Sequence, residues 1–278
     1  MSSAQPLRQV TLQVRANDQA VLQDISAVRC IEDFIWLSAD EGAALERLTL
    51  DRDKTSDHQT FRVIDYLDLP NPKGEEIDIE GLAYADYYLW IVGSHSLKRK
   101  KPEPDASHKD IEKQLETVTC EENRYLIGRI PLVNGQLFRQ CPHPENFKQQ
   151  LTAAQVGRKK TGNQLTHILR KDPHLGAYIK AKIPGKENGF DIEGIAVTGN
   201  QIFLGLRGPV LRGWAVLLEL VPKKKEKKLG VLQLKTLENE FCYRKHFLDL
   251  SGMGIRDLCW EGNDLLILAG PTMDISGL

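Results

Sequence analysis

Cysteine is scarce in this 278-residue chain, and the five present are odd in number and scattered, which excludes a disulfide framework. Cys30, Cys242 and Cys259 fall in or beside apolar, strand-like segments, where they are expected as small buried hydrophobes. No apolar run approaches the length that spans a bilayer as a helix. The opening Met-Ser-Ser-Ala-Gln-Pro lacks the basic start and apolar stretch of a secretory leader. Excess charge of either sign is missing too. A formal net charge of −1 argues against a nucleic-acid or membrane partner recruited by bulk electrostatics. The basic run from Lys223 to Lys228 is read as a solvated hairpin tip. There is no G-x-S-x-G elbow, no phosphate-loop spacing around Gly157 to Gly162 and no dinucleotide fingerprint. Cys141-Pro142-His143 lacks the second ligand pair that zinc needs. What remains is a chain expected in the cytoplasm, long enough to bury a substantial core as a single domain over residues 1–278.

What the sequence does have is self-similarity. Asp78-Ile79-Glu80-Gly81-Leu82-Ala83, with the apolar run from Leu89 to Gly93, returns as Asp191-Ile192-Glu193-Gly194-Ile195-Ala196 with the run that reaches Arg207-Gly208-Pro209. An altered copy starts at Ile255-Arg256-Asp257-Leu258, and a fainter one at Ile25. In all four an aliphatic residue is followed ten positions later by another: Ile25 and Ile35, Ile79 and Leu89, Ile192 and Ile202, Ile255 and Leu265. A shared internal register decides architecture first. Each copy reads as two strands joined by a tight turn, at Asp86, at Gly199-Asn200 and at Gly262-Asn263-Asp264, where residues reach positive φ cheaply. The second strand of each is apolar without alternation, so both of its faces are expected to be covered. These features predict an all-β fold, a β-propeller with four visible copies and short helical insertions.

Several local expectations follow along the chain. Leu7 to Val14 alternates and is expected to close the ring against the last blade. Ser107 with Asp110 predicts a capped helix whose buried face carries Ile111, Leu115 and Val118. A helical insertion is expected over about 143–180, with Phe147, Leu151 and Val156 in helix, Asn163 as a cap for Leu165 to Leu169, and Asp172-Pro173 between two helices. Leu229 to Leu237 and Phe241 to Leu250 are expected to complete the third blade. The last copy shows only two strands before Leu278, so a truncated C-terminus is expected, because intact propellers avoid open sheet edges.

The candidate site is charged. Asp78 with Glu80, and Asp191 with Glu193, have the two-residue spacing that puts both side chains on one face of a strand. Brought round a common axis, they form a carboxylate ring suited to a hard cation such as Ca²⁺ or Mg²⁺. Arg207, Arg256, Asp257 and Ser94 would face the same mouth, the arginines suited to a small anionic ligand. His95 is the candidate acid or base. The competing reading makes the same acids latches, each paired with an arginine of a neighbouring blade, since an unpaired buried charge is costly. Arg256 stands where the other copies carry Glu, which favours pairing or anion binding over a symmetric calcium cage. The function expected is therefore a ligand-binding or scaffold module taking a small anionic ligand or a protein partner. The alternative is a metal-dependent phosphoester or ester hydrolase.

The run from Asn188 to Ala196, continued by Gly205-Leu206-Arg207-Gly208-Pro209-Val210-Leu211-Arg212-Gly213-Trp214-Ala215, resembles a bacterial family known only as Domain of Unknown Function 3616. Gly93-Ser94-His95-Ser96, Asp172-Pro173-His174-Leu175 and Arg256-Asp257-Leu258 carry the likeness further, over about Asp24 to Asp274. The resemblance implies no settled activity, and it implies a chain that continues past Asp274. More distantly, the Asp-x-Glu-Gly element is similar to one in phytase-like and esterase-like propellers, which implies calcium held by acids near an axis.

Overall fold

The computed structural model describes residues 9–40, 42–72, 76–237 and 240–273. The chain is all-β, with three short α-helices set among the strands of the described residues. Among the described residues no helix is long and apolar enough to cross a membrane. The four sequence copies are four antiparallel hairpins, each opening a sheet. They are Ile25–Ile31 with Phe34–Ala39, Ile79–Ala85 with Tyr88–Gly93, Asp191–Thr198 with Gln201–Gly208, and Gly254–Glu261 with Asp264–Gly270. The turns are of the anticipated kind. Asp86 and Tyr87 both take positive φ, as do Gly199 and Gly262. The hairpins share a further feature that spacing alone did not reveal. The pairing register slips just inside each leading strand, leaving a bulged residue at Ser26, Glu80, Glu193 and Arg256. A bulge of this kind re-aims one side chain out of the regular alternation.

Two more strands extend the first sheet, Ala44–Asp51 and Lys54–Arg62. The third gains Trp214–Leu220 and Arg244–Asp249, while the fourth stays a two-stranded hairpin among the described residues. The second is the widest. After Ile127–Val133 it adds Ala154–Val156, and then Val231–Leu234 parallel to it with Pro222–Lys224 at the rim. Val231–Leu234 therefore leaves the third sheet and completes the second, contrary to the expectation for Leu229 to Leu237. None of these sheets closes into a barrel among the described residues.

The sheets pack face to face in chain order. Trp36 and Leu45 of the first meet Ile79, Leu82, Leu89 and Ile91 of the second. Trp90 and Val92 of the second meet Ile192, Ile195 and Leu204 of the third, and Ala196 and Ala215 of the third meet Ile255 and Leu258 of the fourth. Each of the valines, leucines and isoleucines among them, fully buried, contributes about 1.5–3 kcal/mol. That explains the unbroken apolar runs: a strand between two neighbours has no solvent face. Asp264–Gly270 shows the converse, alternating between exposed and half-buried residues, with Leu268 at 63% exposure.

Several expectations are corrected. The described part of the N-terminal segment does not reach the fourth sheet, because Thr11 bonds to Asp53 and Thr55 at the rim of the first. Leu7, Met1 to Pro6, Gly74 and Asp274 to Leu278 lie outside the described residues. Phe147, Leu151 and Val156 are not helical. Leu151 pairs with Cys141 across two short strands, Val156 belongs to the second sheet, and Phe147 stands in solvent. Helix begins only at Gln164–Leu169, where Asn163 caps as expected by accepting from Thr166 N. Asp172 then accepts from the backbone of His174 and Leu175 to start Gly176–Ala181. Ser107 caps His108–Glu116, but that helix buries no residue, and Leu115 and Val118 are exposed. Cys30 is exposed and Cys242 and Cys259 are half-buried, so none is a core residue.

Candidate functional site

The four bulges place their side chains at the end of the leading strands where the charged residues gather. Glu193 is bulged and buried, and it accepts from two arginines. Arg207 Nη1 lies 2.8 Å from Oε1 and Arg256 Nε lies 2.5 Å from Oε2. Arg207 belongs to the same sheet as Glu193, and Arg256 is the bulged residue of the next one. One further donor of each arginine goes to the backbone beyond the fourth hairpin, Arg207 Nε to Thr272 O and Arg256 Nη1 to Pro271 O. Burial raises the proton affinity of Glu193 and the two guanidinium groups oppose that rise.

Glu80 occupies the equivalent bulge one sheet earlier and has a different fate. It makes no hydrogen bond or ion pair with the described residues. Its carboxyl is held well above the usual carboxylate range, by burial first and then by the carboxylates of Asp78, Asp191, Glu193 and Asp40. Asp78, in a left-handed conformation at φ 54°, accepts on Oδ2 from Arg124 Nη1 at 2.6 Å. Arg124 sits on the turn Glu122–Tyr125 and also holds Glu76 and Glu121, so one guanidinium serves three carboxylates. Asp191 is 3% exposed, with Oδ2 at 3.8 Å from Arg207 and Oδ1 buried without a partner among the described residues. Burial and Glu193 push its carboxyl well above the usual range against the pull of Arg207. The backbone ties these groups together, Ser94 N donating to Asp78 O and Ile192 N to Ser94 O, so that the second and third sheets meet there.

The remaining candidates are placed as follows. Ser94 is buried and shares a 3.0 Å hydroxyl contact with Ser96, which in turn accepts from Arg124. His95 is 2% exposed and has both ring nitrogens occupied, Nδ1 by Gly93 O at 2.7 Å and Nε2 by Asn163 Nδ2 at 2.8 Å. That pattern fixes the Nδ1–H tautomer. Burial pulls its pKa down to about 4, so the ring is neutral at pH 7. Asp257 accepts from its neighbour Leu258 N and lies 3.9 Å from Arg29 Nη2, apart from the Glu193 latch. The structure thus brings Asp78, Glu80, Asp191, Glu193, Arg207 and Arg256 into one largely buried charged cluster with Ser94 beside it.

Two members escaped the sequence reading. Asp40 ends the first hairpin, and one of its oxygens groups with oxygens of Asp78 and Glu80 within 4.8 Å of one another. Counting fifteen residues on from Ile25, Ile79 and Ile192 aligns Asp40 with Ser94 and Arg207, a signal that was available in the sequence. Arg124 had no such signal, because it lies outside the copies.

An all-β protein with four hairpins of one pattern and a buried carboxylate–guanidinium cluster is the class these observations define. The chain belongs to the family described as "Protein of unknown function (DUF3616)", whose profile matches residues 24–278. No curated protein matches its sequence. Among solved structures it is similar to the computationally designed Ika8 protein, at 10% identity and a TM-score of 0.27, over 88% of this chain and 68% of that one. A likeness that low carries no argument.

Proposed function

We propose that the four hairpins are the inner strand pairs of a β-propeller, and that the protein is a non-catalytic scaffold binding a small charged ligand at the carboxylate–guanidinium cluster. One observation carries this reading. The same bulged acid is spent as a latch in the third hairpin, where Glu193 takes two arginines, and is left unpaired in the second, where Glu80 takes none. Fastening and ligand binding are then divided between equivalent positions. Arg207 and Arg256, being engaged with Glu193 and backbone carbonyls, support an anionic ligand less than the free carboxylates support a cationic one. The hydrolase reading draws on the same carboxylates but needs a proton donor, and His95, with both nitrogens occupied, supports it poorly. Five free thiols support a reducing compartment such as the cytoplasm.

The test has two arms. Glu193→Gln is expected to lower stability by about 2–4 kcal/mol, since breaking a buried pair strands its partners, as measured by denaturant unfolding. Assays of the wild type with phosphomonoesters and carboxylic esters, with calcium or magnesium present, are expected to show no turnover. Turnover that disappears in Glu80→Gln would favour the hydrolase instead, and an unaltered Glu193→Gln protein would remove the latch.

A further inference from the structure

We propose that the hairpin tip at residues 223–229, together with the cleft at its base, docks an acidic protein segment that carries one apolar side chain. This surface shares no residue with the carboxylate–guanidinium cluster. Lys223, Lys224, Lys225, Lys227 and Lys228 are all exposed, and none makes an ion pair with the described residues. Like charges crowded into one short run repel one another. Guarding a sheet edge explains part of the run, since proline and lysine on an outer strand discourage a further strand from adding. Pro222, Lys223 and Lys224 serve that purpose on the rim strand of the second sheet. Lys225, Lys227 and Lys228 lie beyond that strand. They sit in a turn where Lys225 N donates to Val231 O and Lys228 N to Lys225 O, and there is no edge there to guard.

The second observation is the cleft. Leu229 closes the turn at 79% exposure, ahead of Gly230 at φ 76°. It borders a space of about 200 Å³ whose other walls include Tyr66, Leu67, Asp68, Arg139 and Ala153. Those walls are fixed by the fold. Gln155 accepts from Asp68 N at 3.0 Å and donates to Asp68 O at 2.8 Å, and Arg139 Nε donates to Asp65 O at 2.8 Å. Sites that enclose a small molecule run to about 300–1,000 Å³, so this volume suits a single side chain of a larger partner. Charge decides what that partner is. The acids among the tip and these walls are Glu226 and Asp68, outnumbered by the lysines and Arg139. Nucleic acid fits less well, because the run holds no aromatic residue on which a base could stack. A membrane surface fits less well, because it offers nothing to fill a concave cleft and is gripped by a broad apolar face, where this tip has one leucine.

The experiment is fluorescence anisotropy of the full chain at physiological ionic strength. The probe is a labelled peptide, Glu-Glu-Glu-Glu-Leu-Glu-Glu-Glu-Glu, and the comparator is the same peptide with glutamate in place of leucine. Saturable binding of the probe is expected. Joint substitution of Lys225→Glu, Lys227→Glu and Lys228→Glu should weaken it at least about tenfold, and so should loss of the peptide's leucine. Leu229→Ala should narrow the difference between the two peptides. All four side chains are exposed, and an unchanged unfolding midpoint checks that the variants are folded. Absence of saturable binding, or equal affinity in the charge-reversed variant, overturns the proposal. Equal binding of the two peptides overturns it too, leaving electrostatic attraction without a docking cleft. Tighter binding to duplex DNA or to phosphatidylserine vesicles than to the probe would likewise overturn it and give the tip to that partner.

Discussion

Glu80 and Glu193 show how one residue type at one backbone position acquires two roles through its neighbours. Glu193 is charge-paired on both oxygens, and the neighbouring charges that act most on Glu80 are those of other acids. Because the folded state raises the proton affinity of Glu80, its charged form costs stability. That cost is absent below the ordinary glutamate pKa and grows as pH rises through the raised folded value. Glu80→Gln is accordingly expected to stabilise the cation-free protein by about 1–2 kcal/mol at pH 8, with the gain fading towards pH 4. Thermal unfolding in chelator across that range checks it. A constant or negative difference would mean that Glu80 has a partner in solution. The acid pairs and both arginines were legible as a charged group in the sequence. Which acid paired with which base was not, because the choice depends on how far each strand end lies from the next.

The motif Asp-x-Glu-Gly acquires a physical meaning in the hairpin. The Glu is the bulged residue, and at the Gly after it the next sheet packs close. A Cβ at Gly81 would lie 2.8 Å from Ile195 Cγ2 and 3.0 Å from Ile195 N in the third sheet. At Gly194 it would meet Leu258 Cγ at 3.0 Å in the fourth. The glycine thus answers to close approach between sheets, with no positive φ involved. Gly81→Ala is expected to cost about 1–3 kcal/mol from overpacking, outweighing the roughly 0.4–1 kcal/mol that alanine returns by stiffening the unfolded chain. Chemical denaturation gives the sign directly, and a neutral or stabilising result would show that the sheets can part freely. The ten-residue spacing and turn residues made the hairpins legible, but Phe147 to Val156 misled, since a short apolar stretch has no period long enough to separate helix from strand.

At the scale of the molecule, Arg29 spans three sheets. It stands on the first, its Nε donating to Leu82 O in the second and its Nη2 to Leu258 O in the fourth, both at 2.9 Å. The first and last hairpins are thereby joined although they are far apart in the chain. Arg29→Ala is expected to destabilise by about 2–4 kcal/mol, the loss of two charge-assisted hydrogen bonds at 15% side-chain exposure. It should also lower hydrogen-exchange protection in Gly254–Glu261 ahead of the other leading strands. Uniform loss across all four sheets would mean that Arg29 adds only general stability. The sequence held no trace of this contact, nor of Val231–Leu234 crossing to the second sheet, because strand partners remote in the chain leave no local pattern.

By itself the sequence determined the all-β class, the four hairpins and their turns, and the family. Each depends on residue order over a few positions: apolar runs, glycine and asparagine at turns, and a motif repeated in phase. The tertiary structure alone decided which sheet each later strand joined, that Asp40 and Arg124 belong to the cluster, and that His95 is enclosed by its own neighbours. Those outcomes depend on distances between segments remote in the chain, and a carboxylate is a latch or a free ligand only by what stands within about 4 Å of it.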